Sequence, residues 1–262
     1  MQDITEQLII DRLDGVGRIT FDNPERRNAL TYEMWRGLPV VLDDFESDDT
    51  VRVIVLAGAG EKAFCTGGDQ SAHEGQYDGR GTIGLPMEEL HNAIRDVPKP
   101  VIARVQGYAI GGGNVICTIC DFTIASEKAV FGQVGPKVGS VDPGYGTAFL
   151  ARVVGEKKAR EIWYMCRRYP AAEALAMGLV NAVVPHEQLD AEVQKWCDEI
   201  MEKSPTALAI AKRSFNMDTA HQSGIAGMGM YALKLYYDTE ESREGVTAFQ
   251  EKRKPDFRKY AK

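Results

Sequence analysis

Apolar positions along this chain fall into many short runs, each closed by glycine, proline or charge. Val51 to Ala57 (VRVIVLA) and Val101 to Val105 (VIARV) are strand-length and nearly continuous, the pattern of a sheet covered on both faces. Leu8 to Arg12 and Gly17 to Asp22 are two apolar runs with Asp14-Gly15 between them, turn chemistry that predicts a hairpin. Asn23-Pro24 ends the second run. Thr31 then stands as an N-cap before apolar residues at helical spacing, which predicts a helix to about Phe45. Helical spacing returns at Pro86 to Arg95, and Phe122 to Ala125 and Val130 to Gly132 read as short strands. From Gly144 onward the period is mostly helical. Helices are expected at Tyr145 to Val154, Glu156 to Cys166 and Ala171 to Met177, a strand at Leu179 to Val184, and further helices from His186 and from Pro205. Ala226 to Tyr237 is apolar around much of its circumference, so it needs a partner, either the chain's own core or another subunit.

With 262 residues and 44% hydrophobic side chains, the chain can bury a sizeable core as one large domain, or one domain with an appendage. No apolar run is long enough to cross a bilayer, and Met1 to Glu6 lacks the features of a signal peptide, so the expected location is the cytoplasm. Five scattered cysteines argue against a disulfide framework. Cys117-x-x-Cys120 has no second pair to complete a zinc site, and the four histidines show no metal-ligand spacing. A formal net charge of −7 argues against nucleic-acid binding. The last twelve residues are locally basic, with six Lys/Arg against two acids; they read as a solvated, partly frayed tail or as a patch for an anionic ligand.

The chemistry concentrates in glycine-rich loops. CTGGDQ at 65 to 70 and AIGGGN at 109 to 114 each follow a buried strand. Glycines at a helix start cost conformational entropy, so their use is close backbone approach and exposed N–H donors at the positive helix end. N–H groups from two such loops aimed at one point would make an oxyanion hole. A third stretch, FGQVGPKVGSVDPGYG at 131 to 146, holds one isolated acid, Asp142. A rigidly held loop acid suits catalysis; the structural alternative is an N-cap for the helix from Tyr145. Arg26 and Arg27 lie in a strand-to-helix loop, where anions are usually met. Asp69 to Leu85 is polar and Gly-rich, as lid loops beside sites often are.

Taken together, NPERRNAL at 23 to 30, VIVLAGAGEKAFCTGGD at 53 to 69, KPVIARVQGYAIGGG at 99 to 113 and EALAMGLVNAVVP at 173 to 185 resemble the crotonase (enoyl-CoA hydratase/isomerase) superfamily over essentially the whole chain. The resemblance implies an α/β fold, a crotonase (ClpP-like) spiral of ββα units with a helical C-terminal region. Residues 1–204 would form the spiral core with its acyl-CoA site, and 205–262 a helical region for trimerisation and site completion. It implies homotrimers that often pair into hexamers, and an acyl-CoA thioester substrate whose carbonyl is held by the N–H groups of Gly68 and Gly112. Nucleic acid and membrane are not expected partners.

The two glutamates of the family's hydratases match Val115 and Gly135 here, and neither can move a proton. Ser140 and Asp142 stand in their place. GPKVGSVDPGYG resembles the branch containing 1,4-dihydroxy-2-naphthoyl-CoA synthase and 2-ketocyclohexanecarboxyl-CoA hydrolase, and it is closer to the hydrolase through Pro143, residues 71 to 100 and residues 204 to 245. That likeness implies hydrolytic ring opening of 2-ketocyclohexane-1-carboxyl-CoA to pimeloyl-CoA by a retro-Dieckmann step. The synthase's ring closure is the alternative. No cofactor is required beyond the CoA of the substrate. Asp142 is the expected base, oriented with help from Ser140. Tyr77 and Tyr237 match active-site tyrosines of the branch, with Tyr237 reaching in from a neighbouring subunit. A bound bicarbonate or other anion is expected beside Gly135. Arg26 or Arg27 and the basic tail would face the CoA phosphates, Ala29 the pantetheine by its backbone, and Thr66, Gly67, Asp69 and Gln70 the adenine side.

Overall fold

Asp14 and Gly15 both take positive φ, 49° and 85°, the backbone of a two-residue hairpin turn. They join β1 (Leu8–Leu13) to β2 (Val16–Phe21) in antiparallel register, Leu13 opposite Val16. The computed structural model describes residues 5–69, 82–142, 144–222 and 224–261. After β2, Thr31 accepts from the Met34 N–H and starts α1 (Tyr32–Ser47), which continues past Pro39.

A repeat then unfolds. β3 (Val53–Gly58), β4 (Ala63–Cys65) and α2 (Met87–Asp96) are followed by β5 (Val101–Val105), β6 (Tyr108–Ile110) and α3 (Gly112–Ile119). Next come β7 (Phe122–Ser126), β8 (Val130–Gly132) and α4 (Ala148–Val154). The first strand of each unit enters one sheet, ordered β1-β2-β3-β5-β7-β10, and the second enters another, ordered β4-β6-β8-β9. This is the expected spiral of ββα units. The remaining elements are α5 (Glu156–Met165), β9 (Tyr169–Pro170), α6 (Ala171–Ala176), β10 (Ala182–Val184) and α7 (Leu189–Met201). Three helices end the chain: α8 (Pro205–Met217), α9 (Ile225–Tyr237) and α10 (Glu240–Gln250).

The apolar run in β3 has a two-sided explanation. Successive side chains of a strand face opposite ways. Ile54 and Leu56 enter the main core with Trp35, Phe45 and Phe64, while Val53 and Val55 pack with Leu189, Val193 and Cys197 of α7. Buried Lys212 of α8 ties the helical C-terminal region to the core, donating to the carbonyls of Ile94 and Lys99 and pairing with Asp121 at 2.7 Å.

Several boundaries differ from the sequence expectation. The helix expected from Tyr145 starts at Ala148, because residues 144–147 form turns around the Asp142 side chain. The strand expected over Leu179 to Val184 is confined to Ala182–Val184. The basic tail is not a frayed end: Arg253 pairs with Glu244 and Glu251, and the Tyr260 hydroxyl donates to the Glu240 carbonyl. Among the described residues no helix is long and apolar enough to cross a membrane, and no group of three or more His, Cys, Asp or Glu is placed to hold a metal ion.

Candidate active site

β4, β6 and β8 are neighbours and run parallel, so all three hand their chains to loops at one edge of the smaller sheet. Those loops are residues 66–69, 111–112 and 133–142. This topology brings together segments far apart in sequence.

The first two loops touch through backbone alone. A Cβ built on Gly112 would lie 3.1 Å from Gly67 Cα, and one on Gly113 would lie 2.0 Å from the Cys65 carbonyl oxygen, so no side chain fits between them. Gly67 and Gly111 take positive φ, 95° and 57°, where glycine is the residue without penalty. Leu30 bridges to Gly68 in parallel fashion, donating to Gly67 O and accepting from Asp69 N. That pairing turns the N–H of Gly68 away from Leu30. The N–H of Gly112 is the first of α3, where the helix itself supplies no acceptor. Neither donor has a protein acceptor among the described residues, and both glycines line a cleft of about 610 Å³. That size suits a small-molecule ligand.

The third loop carries Ser140 and Asp142, which also line the cleft. Asp142 Oδ1 accepts from the N–H groups of Gly144 (3.0 Å) and Gly146 (3.2 Å). Its Oδ2 is buried and has no partner among the described residues. One oxygen therefore holds the turn while the other is left over. Asp142 is not the helix N-cap weighed from the sequence, because α4 starts at Ala148 after Thr147; the carboxylate instead holds the turn that precedes the helix. Burial raises the carboxyl's pKa, against the opposing pull of the Gly144 N–H and the Thr147 hydroxyl. Val115 presses on this turn, its Cγ2 lying 2.8 Å from where a Cβ on Gly146 would sit.

Two expectations are corrected here. Ser140 does not orient Asp142; the Gly144 and Gly146 N–H groups do, and Ser140 Oγ instead bonds the Tyr237 hydroxyl at 2.9 Å. Tyr237 does not need a neighbouring subunit to arrive. α9 folds back on its own chain, buries Tyr237, and places its hydroxyl between Ser140 Oγ and Thr82 Oγ1 (2.8 Å). Tyr237 sits behind these two cleft-lining hydroxyls rather than in the cleft wall. Tyr77, Gln70 and Pro143 lie outside the described residues.

At the cleft mouth are Arg26, Arg27, Ala29, Thr66, Gly67 and Asp69. Arg26 reaches Asp69 at 3.4 Å, and Thr66 Oγ1 lies 3.3 Å from the Arg27 carbonyl. Arg27 stacks over Tyr108 at 5.8 Å, and Arg168 lines the same region. Ala29 has its N–H on Arg26 O and its carbonyl on Asn23 Nδ2. Asn28, fully buried with φ 55°, pins this loop by donating to the Ala59 and Ala63 carbonyls. Around Gly135 the nearest atoms to a built Cβ are the Ser140 carbonyl oxygen at 3.2 Å and a Trp163 ring carbon at 3.4 Å. An acceptor and an apolar ring fit an anion poorly.

Sequence reasoning missed several residues of the wall. Trp35, His91 and Gln133 are buried, line the cleft, and each has a side-chain nitrogen without a partner among the described residues. Burial holds the His91 imidazole down to about 4. The available signal was a histidine on the apolar stripe of α2, alongside Met87, Leu90 and Ile94. Cys65 and Cys117 are buried thiols by contrast, with burial pushing Cys65 up to about 12 and raising Cys117 well above the ordinary thiol value.

Gly68 and Gly112, whose N–H groups have no acceptor among the described residues, line one cleft with Asp142, a combination that can stabilise a developing oxyanion. The chain belongs to the enoyl-CoA hydratase/isomerase family, whose sequence profile matches residues 11–260. It is similar to a solved enoyl-CoA hydratase from Mycobacterium avium subsp. paratuberculosis K-10, at 31% identity and TM-score 0.84 over 96% of this chain and 98% of that one. A carnitinyl-CoA dehydratase from Mycobacterium avium 104 matches at 27% and 0.84, covering 94% and 98%. A methylmalonyl-CoA decarboxylase in complex with 2-nitronate-propionyl-CoA matches at 28% and 0.82, covering 96% and 98%. Members of the superfamily process acyl-CoA thioesters.

Proposed function

We propose that this enzyme opens the ring of 2-ketocyclohexane-1-carboxyl-CoA by hydrolysis, giving pimeloyl-CoA. The observation that carries the reading is the side-chain inventory of the cleft. Where the family resemblance places the hydratase glutamates stand Val115 and Gly135, and the buried acid with an unused oxygen is Asp142. A single base with paired oxyanion donors suits carbon–carbon cleavage better than hydration, which needs a second proton-moving group.

Water lying against Asp142 Oδ2 gives up a proton to it as its oxygen bonds to the ring ketone carbon. The resulting alkoxide collapses to a carboxylic acid as the bond from that carbon to the thioester α-carbon breaks. The electron pair passes to the thioester oxygen as an enolate, held by the N–H groups of Gly68 and Gly112; one such donor is worth about 3 kcal/mol. A proton then returns to the α-carbon. Protonated Asp142 gives back that proton, while Ser140 Oγ, held by the Tyr237 hydroxyl that also meets Thr82, is a second hydroxyl lining the same cleft. Net, the water supplies OH to the new carboxyl group and H to the α-carbon. A carboxyl whose pKa burial raises takes up and gives back a proton more evenly than an ordinary aspartate. No step is routed through an anion beside Gly135.

Arg26, Arg27 and Arg168 at the mouth suit the CoA phosphates. Phe215, Tyr231 and Leu235 on α8 and α9 are more than two-thirds exposed, which supports assembly into a homotrimer or hexamer, read out by analytical ultracentrifugation. The deciding assay is chromatography of CoA products from 2-ketocyclohexane-1-carboxyl-CoA. Pimeloyl-CoA is the expected product. Its absence, with naphthoyl-CoA formed from 2-succinylbenzoyl-CoA, would replace this reading by the ring-closing one.

A further inference from the structure

A buried polar atom without a partner forfeits the hydrogen bond it had with water, so such atoms are few in native proteins. The buried end of this cleft has two residues of this kind side by side. His91 lies on the inner face of α2 and is 3% exposed, and neither ring nitrogen has a partner among the described residues. Trp35 of α1 is fully buried, and its Nε1–H has no acceptor there either. The other two tryptophans do have acceptors: Trp163 donates to Gly146 O at 2.6 Å and Trp196 to Glu192 at 2.9 Å. The Trp35 and His91 rings meet edge-on with centroids 6.0 Å apart, and both line the cleft.

Their position relative to the oxyanion donors is informative. A Cβ on Gly68 would lie 3.7 Å from Trp35 Nε1, so the indole N–H stands immediately beyond the Gly68 turn. The surroundings are apolar, with Leu85 and Met87 on one side and Tyr145 on the other, the Tyr145 hydroxyl being already committed to Asn92. If packing were the purpose, phenylalanine would fill the His91 site without the desolvation cost.

We propose that Trp35 Nε1–H and the His91 imidazole form a second hydrogen-bonding station, which receives an uncharged keto or hydroxyl oxygen on the carbon beyond the thioester α-carbon. The inference rests on the acyl-CoA reading of the cleft and deepens it. In a 3-oxoacyl thioester, rotation about the bonds to the α-carbon can bring the two carbonyl oxygens to one side of the carbon chain, where donors at Gly68 and at the neighbouring Trp35 Nε1 would hold them. A carboxylate at the same place would find no counter-charge, because the imidazole is neutral and the walls are apolar. An unsubstituted acyl group would leave both station groups unpaired in a closed pocket, the arrangement that discriminates most strongly.

The test uses the full chain carrying Asp142→Asn, so that ligands are not consumed, and titration calorimetry with 2-ketocyclohexanecarboxyl-CoA and cyclohexanecarboxyl-CoA. The keto ligand is expected to bind about tenfold more tightly or better. Adding His91→Phe is expected to reduce that ratio to about threefold or less, while cyclohexanecarboxyl-CoA affinity stays within about twofold. A readout that alters neither station residue is the indole ¹⁵N–¹H spectrum: the Trp35 resonance is expected to move downfield with the keto ligand only. Equal affinity for the two ligands, equal weakening of both by His91→Phe, or equal movement of the Trp35 resonance would overturn the station. Tight keto binding through Trp35 without wild-type turnover would overturn ring opening and leave the station standing. Turnover without keto preference would do the reverse.

Discussion

Replacing Asp142 by asparagine separates the two roles that its oxygens play. Oδ1 holds the turn through Gly144 and Gly146 at 3.0 and 3.2 Å, and an asparagine Oδ1 accepts the same two bonds. Oδ2, buried and unpartnered among the described residues, becomes an amide nitrogen that cannot take a proton. Turnover should fall about 100-fold or more, the usual worth of a general base, while the turn survives. Asp142→Ala is the companion variant. It also lacks the charge but loses both bonds, so relative to Asp142→Asn it should be about 1 kcal/mol less stable. In a chain of this size that lowers Tm by about 2–4 °C. The assays are steady-state release of CoA product and thermal unfolding of the three proteins in one buffer. Wild-type turnover in Asp142→Asn would refute the base assignment. An Asn variant as unstable as the Ala variant would refute the division of labour between the two oxygens.

Other outcomes follow from the same contacts. Burial raises the folded pKa of Asp142 above its unfolded value, so the folded state favours the protonated form; wild type should lose stability relative to Asp142→Asn as pH rises from the unfolded pKa through the folded one, seen in paired denaturant titrations. The acid limb of kcat/KM should for the same reason lie above the ordinary carboxylate range and vanish in Asp142→Asn. Gly112→Ala puts a methyl 3.1 Å from Gly67 Cα, forces the donor loops apart, and should lower turnover about tenfold or more, whereas Gly224→Ala, whose added methyl meets nothing within 4 Å among the described residues, should match wild type. Tyr237→Phe breaks the link between Ser140 and Thr82; it should cost about 1 kcal/mol of stability and slow turnover without raising KM.

The larger sheet was legible because its strands are long enough to show their pattern: β3 and β5 read as two-sided, and Asp14-Gly15 announced the hairpin turn. β4, β6 and β9 did not announce themselves, since two or three residues show no period. Apart from β8, read from Val130 to Gly132, the smaller sheet that positions the site was therefore visible only as the glycine-rich loops leaving it. Those loops pointed to backbone donors and to Asp142, and resemblance singled out Gly68, Gly112 and Ser140. What ties these last two down was hidden, because the hydrogen bond from Ser140 to Tyr237 spans 97 positions and no local pattern encodes it. Trp35 and His91 were hidden differently: at helical spacing among apolar neighbours, each reads as ordinary core.

The parallel run of β4, β6 and β8 has a consequence for how such a site can change. Adjacent strands lie about 4.8 Å apart, so the separation between the loops of Gly68 and Gly112 is a property of the sheet rather than of either loop. The loop after β8 hangs from a different strand. Residues at 135, 140 and 142 ride on that loop and can be exchanged without moving the ruler that spaces Gly68 and Gly112. A scaffold of this kind can keep the spacing of two backbone N–H groups fixed while the side chains around them change.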